Sequence, residues 1–295
     1  MLTGAWYLAI LFVVGTTSAG HAFATSPHWP RRLTAAALFA TVGLVVLVGW
    51  RLWAQTDAAF GGEQPLEFVH ARVILFETPW GGGWRWQAGA SVLALAAVML
   101  WRWRWAAWPL AALCGSAVGF VTAFTGHAVA MEEQLWLTVL AHGLHVVAAG
   151  WWIGGLVVIL LITAGNDYER DAPARVALAD VIDRFSPIAI IAVTLLVIAG
   201  GVATWKHVIE PAGFGGFASP YGLALLGKVA AFAGAGLCGL YNWKVLRPTL
   251  ASSPDAVGQL RSMAWLEVSL GVVAVILTAV LGTLSMPEPP AGADH

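Results

Sequence analysis

LWLTVLAHGLHVVAAGWWIGGLVVILLIT, residues 135–163, contains two imidazoles and no Asp, Glu, Lys or Arg. The run exceeds the roughly 20 apolar residues that cross a hydrocarbon core about 30 Å thick, so it reads as a membrane helix. The rest of the chain shares that character. Of 295 residues, 59% are hydrophobic and 11% charged, against about a quarter charged in an ordinary soluble domain. Several other apolar runs reach about 20 residues. The sequence therefore predicts an all-α integral membrane protein, a single polytopic domain over 1–295 folded as an eight-transmembrane-helix bundle. The spans fall at about 3–22, 33–53, 84–101, 106–129, 135–163, 183–207, 221–246 and 263–285. LEFVHARVILFETPW, residues 66–80, is too short and too charged to cross, and predicts a short amphipathic surface helix before span three. FGGEQP and PAGFGGFASP mark linkers and do not resemble phosphate loops.

Most of the 17 Trp lie at the ends of apolar runs, where amphipathic rings anchor in the headgroup layer. HAFA in the first run has the small-x-small pattern of a signal cleavage site. The run nevertheless reads as a retained helix, because MLTGAW carries no cation and the basic pair Arg31 and Arg32 follows it. No nucleic-acid partner is expected, though the net charge of −1 carries no information on that point. Orientation comes from Lys and Arg. Arg31, Arg32, Arg102, Arg104, Arg170, Arg175, Arg184, Lys244, Arg247 and Arg261 follow spans one, three, five and seven. The opposite side holds Arg51, Arg72, Arg85 and Lys206. Cations gather on the cytoplasmic side, so both termini are expected outside.

With that topology TGHAVAMEE places His127 and Met131 near the outer mouth, beside Glu132 and Glu133, which would concentrate cations there. His142 and His145 enter from the same side, roughly 10 and 15 Å deep at 1.5 Å per residue. Their i, i+3 spacing puts both on one helical face. His207, Met286 and His70 fall on the outer side as well, whereas His21, His28, Cys114 and Cys238 fall toward the inner one. Imidazole and thioether suit copper, with Met selecting Cu(I), and no carboxylate cage suggests Ca²⁺ or Mg²⁺. A lone intramembrane His is commonly a helix-to-helix hydrogen bond worth about 0.6 kcal/mol, which is the plainer reading for His70 and His207. The close pair points to a cavity or pathway.

Gly150 and Gly154 form a small-xxx-small pattern that admits another helix against span five, and Trp151 and Trp152 are expected to pack between helices. Lys228 lies in the outer half of span seven and either snorkels or is buried. Glu267, near the inner end of span eight, is expected to pair with Arg184 at similar depth, and to lie too far from Lys228 to bridge to it. Cys114 and Cys238 read as small buried residues or, together with His21, as an inward relay for Cu(I). Two Cys without a CxxC motif make no disulfide framework.

LHVVAAGWWIGGL resembles the signature of the CopD/PcoD copper resistance family of bacterial inner membrane proteins, a His-bearing helix ending in W-[IV]-G-G-L. RFSPIAIIAVTLLVIAG from residue 184, YGLALLGKVAAF from 221, LYNWKVLRPTL from 240 and WLEVSLGVVAV from 265 follow in order, and TGHAVA also fits. The similarity is clearest over 135–285, and the first hundred residues match in hydropathy alone. The resemblance carries over His145 and His127, while His142 stands where the family has an acidic residue, adding a ligand. It implies copper handling at the inner membrane, with uptake from the periplasm alongside a separate CopC-type carrier. Met131, Met286 and His207 join the metal set from the topology.

Three readings follow. The first is a copper permease, not an enzyme, with a His/Met site in the outer half of the membrane. Without a GxxxxGK[ST] loop, its driving force would be a gradient or exchange. The second is a haem b electron-transfer protein with paired axial His. One helix face carrying both His142 and His145 suits a single small ion better. The third, a copper sensor or assembly factor, has the same residue pattern as the first.

Overall fold

The computed structural model describes residues 9–17, 30–61, 67–101, 107–125, 135–164, 168 and 171–287. Every regular element among them is helical. The elements are α1 (9–17), α2 (Pro30–Phe60), α3 (Phe68–Glu77), α4 (Pro79–Trp101), α5 (Trp108–Val121) and α6 (Leu135–Ala149). A π turn, Gly150–Gly154, leads into α7 (Gly155–Thr163), and α8 (Ala172–Thr204), α9 (Pro220–Tyr241) and α10 (Pro254–Leu281) follow. Two further π turns, Trp205–Ile209 and Asn242–Leu246, extend α8 and α9. The described residues divide into two compact units, one within 9–155 and the other within 156–287.

Five helices are long and apolar enough to cross a membrane: Leu33–Phe60, Val139–Thr163, Ala172–Ala218, Pro220–Thr249 and Pro254–Leu281. They coincide with five of the expected spans, and the chain is a multi-pass membrane protein. The other three expected spans are represented differently. Of the first, residues 9–17 are described. The third lies within α4, whose opening PWGGGWRWQ dilutes its apolar run with Arg85 and Gln87. The fourth is the shorter apolar helix Trp108–Phe124.

The expected surface segment forms the ten-residue α3. At its start the backbone N–H of Glu67 donates to His70 Nδ1 at 3.1 Å, and the imidazole stacks on Phe60 at 4.7 Å between ring centres. His70 thus caps and braces α3. Phe68 and Phe76 stand 85% and 66% exposed, the surface an interfacial helix offers to lipid.

In the first unit α1, α5 and α6 meet through small residues. A Cβ on Gly154 would collide with the backbone of Gly15 and Leu11, and one on Gly15 with the backbone of Gly154. Gly150 rests on Val14, Gly115 on Thr17, Gly119 on Val14, Val146 and Val147, and Gly143 on the Phe120 ring. Without a hydrophobic drive between helices in lipid, such close backbone approach supplies the packing. The small-xxx-small pattern at Gly150 and Gly154 does receive a helix, and it is α1.

In the second unit α9 and α10 make the most extensive helix pair. Gly227 faces Leu277, Gly234 faces Leu270 and Gly239 faces Glu267, an antiparallel register. Ser219 caps α9 by accepting the Gly222 N–H at 3.0 Å. At the far end of α7, Arg261 of α10 donates to the Thr163 carbonyl at 2.5 Å, which ties those two helices together.

Candidate metal centre

α6 is regular through Ala149, so residues advance by about 100° each around its axis. Gly143 and Gly150, two turns apart, share the face pressed on α5 and α1. His142 and His145 lie about 120° round the helix from that face. The glycines hold the back of the helix while the imidazoles are presented on another side, both half-buried and both engaged in contacts. Directly after them the chain opens into the π turn Gly150–Gly154, where Trp152 is buried and Trp151 Nε1 donates to Ser116 Oγ of α5 at 3.3 Å. Both indoles therefore pack, as expected. Single π turns inside α-helices recur at functional positions, and this one sits within the segment that joins the two histidines to the glycine contacts.

The other expected ligands are placed as follows. His127, Met131, His21 and His28 lie outside the described residues, as do Glu132 and Glu133. His207 is half-buried in the π turn Trp205–Ile209, next to Lys206, which pairs with Glu210 at 3.7 Å. Met286 follows α10 and is 54% exposed. Cys114 is buried on α5 and Cys238 half-buried on α9, both as free thiols. Among the described residues no group of three or more His, Cys, Asp or Glu is gathered closely enough to hold a metal ion. Within the first unit, then, the structure brings together His142 and His145 and no third ligand of those types among the described residues. His207, Met286 and Cys238 belong to the second unit.

The intramembrane polar groups of the second unit differ from expectation in one respect. Glu267 is 2% exposed, and its Oε1 accepts the Asn242 Nδ2 amide at 2.5 Å. Arg184, its expected partner, is exposed on α8, and it is the neighbouring Asp183 that binds Arg247. The physical reason is azimuthal. Equal depth on two helices does not turn two side chains toward each other, whereas the π turn swings Asn242 onto α10. Gly239, beside Glu267, leaves room for the carboxylate. Lys228 is half-buried on α9, eleven residues or about 16 Å along the helix from Gly239, so it does not bridge to Glu267.

Two polar residues, the buried Gln87 and the half-buried Asn242, escape the reading of the sequence. Gln87 of α4 is 0% exposed and accepts Arg51 Nη1 of α2 at 2.8 Å, and Arg51 also lies 5.8 Å from the Trp80 ring centre. Asn242 is the other. An amide inside or bordering an apolar run, as in WRWQAGA and LYNWKV, is the signal that could have revealed both, because an unpaired amide in lipid is costly.

Residues 2–135 match the family described as copper resistance protein D-like, N-terminal domain, and residues 179–281 match copper resistance protein D. Copper resistance protein D of Pseudomonas syringae pv. tomato is 30% identical over 264 residues, covering 86% of this chain and 83% of that protein. Copper transport protein CutJ of Bacillus subtilis (strain 168) is 25% identical over 257 residues, covering 85% of this chain. The chain spans 45% of the length of that Bacillus protein. No solved structure matches.

Proposed function

The chain belongs to the copper resistance protein D family, and from that premise we propose that it takes up copper from the periplasm into the cytoplasm across the bacterial inner membrane. The ion is captured in the outer half of the bilayer by His142 and His145, with His127 and Met131 completing the site and His207 and Met286 guiding entry. It leaves inward past Cys114, Cys238 and His21 to cytoplasmic thiols. Eight crossings with both termini outside, set by the distribution of Lys and Arg, give this direction its geometry. A separate CopC-type carrier delivers the ion at the outer mouth.

One observation carries the reading. The two imidazoles sit in Val139–Thr163, the span with 72% of its apolar window buried, on a helix whose other face is clamped through glycines. Ionisable groups placed in an enclosed membrane helix are expensive and mark substrate pathways. Imidazole accepts either copper oxidation state, and exchange between a few His and Met donors lets the ion move on. The family matches lend the haem alternative no support.

The test is copper accumulation by cells or proteoliposomes carrying the full chain, with elemental analysis of the purified protein alongside. His142→Ala with His145→Ala should abolish accumulation and remove bound copper while helicity is kept. Unchanged accumulation in that double variant overturns the ligand assignment. A haem Soret band from the purified chain would overturn the copper reading itself.

A further inference from the structure

The end of α9 meets the polar stretch of α8 in an open cavity of about 550 Å³, lined by Ala179, Asp183, Trp243, Lys244, Arg247 and Pro248. Two cations face one carboxylate there. Arg247 binds Asp183 through Nε, which aligns the guanidinium, and the Lys244 ammonium lies 5.7 Å from the Trp243 ring centre. Arg184 adds a third cation beside Asp183, exposed on α8. The π turn Asn242–Leu246 divides the labour of this helix end: Asn242 turns to Glu267 of α10, and Trp243, Lys244 and Arg247 turn to the cavity.

The level of the cavity matters as much as its charge. α8 changes at this point from a polar segment, APARVALADVIDR, to the apolar run that begins at Phe185, and the span Pro220–Thr249 ends here too. Both helices therefore pass from hydrocarbon to headgroup at the cavity. Leu240 and Val245 of the same helix end stand 49% and 46% exposed, apolar surface suited to acyl chains rather than to water. A guanidinium and an ammonium set beside an indole at this level match the phosphodiester of an anionic lipid.

We propose that this cavity binds the headgroup phosphate of an anionic membrane lipid, with Lys244 and Arg247 as its cationic contacts and Trp243 seating the glycerol region. The proposal does not rest on the copper reading, since its test reads lipid binding alone.

The detergent-solubilised full chain, titrated with phosphatidylglycerol, phosphatidylcholine or inorganic phosphate and followed by native mass spectrometry, tests this. Phosphatidylglycerol should be retained over phosphatidylcholine, and inorganic phosphate at equal concentration should not displace it. Lys244→Ala should weaken phosphatidylglycerol about five-fold, and Lys244→Ala with Arg247→Gln about 25-fold, since each substitution takes one positive charge away from the phosphate. Asp183→Asn, which removes a like charge facing the phosphate, should tighten it about five-fold. Circular dichroism checks that each variant keeps its helicity. If Arg247→Gln fails to fold, the opposite responses of Lys244→Ala and Asp183→Asn decide the matter. Equal retention of the two lipids, displacement by inorganic phosphate, or indifference to both Lys244→Ala and Asp183→Asn would overturn the proposal.

Discussion

Two spans of similar apolar character behave in opposite ways. Val139–Thr163 has 72% of its apolar window buried within the protein, and Pro220–Thr249 has 11%. Both are rich in glycine, so neither hydropathy nor glycine content separates the enclosed helix from the lipid-facing one. The contacts do. On α6 and its π turn the glycines meet the backbone of α1, the body of Val14 and the ring of Phe120. On α9, Gly222 presses on the backbone of Gly216 and Phe217 in the turn just before its own helix, but toward α10 the glycines meet only side-chain tips: a Cβ on Gly227 would lie at ordinary contact distance from Leu277, and one on Gly234 somewhat tighter against Leu270. The first arrangement is a clamp; the second is a loose seam. The histidine pair sits on the clamped helix, where its geometry is held by neighbours that cannot move without displacing backbone.

The largest effect should therefore come from filling the clamp. Gly154→Ala drives a methyl into the backbone of Gly15 and Leu11, and neither can yield by a rotamer change. The expected loss is about 3 kcal/mol, the upper end for overpacking, read as a lowered unfolding midpoint of the detergent-solubilised chain. Copper accumulation should fall with it, since the histidine-bearing helix must move away from α1. A neutral Gly154→Ala would break the distinction between the two spans.

The next effect tests polar packing in the looser region. Glu267→Ala removes the acceptor of the Asn242 amide, whose Oδ1 is already buried without a hydrogen-bond partner. The variant should lose about 1–3 kcal/mol, the cost of leaving a buried amide unsatisfied. Glu267→Gln keeps an acceptor of the same shape and should lose less than half as much, measured in the same denaturation series. Equal losses would mean that the charge, rather than the hydrogen bond, matters at this position.

These contrasts explain what could be read in the sequence and what could not. The five long spans were legible because lipid demands long unbroken apolar runs. The approach of a helix at Gly150 and Gly154 was legible because small residues four apart make a groove, and Trp151 and Trp152 flank that groove. The partner of Glu267 was not legible. Depth can be counted along a helix, but rotation about its axis depends on features such as the π turn Asn242–Leu246, which has no clear mark in LYNWKVL. The metal set met the same limit: spacing puts His142 and His145 on one face, but distances between helices are set by tertiary packing. Family likeness was distributed unevenly as well. The WWIGG segment that suggested it falls between the two matched ranges, 2–135 and 179–281. The matched N-terminal region had offered only hydropathy to the eye, because likeness to distant relatives is spread thinly over many positions.

A third substitution sharpens the comparison from the other side. Gly227 of α9 would place a Cβ 3.5 Å from Leu277 Cδ1, an ordinary contact, and its backbone is helical. Gly227→Ala thus adds a methyl without collision and removes the entropic weakness of a mid-helix glycine, so it should stabilise by about 0.5–1 kcal/mol. The same chemical change is expected to have opposite signs on α9 and in the turn after α6. A destabilising Gly227→Ala would show that α9 is held as tightly as the clamped helix and that its low burial understates its packing.

The smallest effect belongs to Trp151→Phe. The ring volume that packs beside α5 is largely kept, and what disappears is the hydrogen bond from Nε1 to Ser116 Oγ at 3.3 Å. Hydrogen bonds between membrane helices average about 0.6 kcal/mol, because the separated helices find other partners. The substitution should lower stability by about that amount and leave copper accumulation within a factor of two, since the glycine contacts, not this bond, hold α6. A loss several times larger, or one seen in accumulation while the unfolding midpoint stays put, would move Trp151 from the packing of the clamp to the pathway the clamp supports.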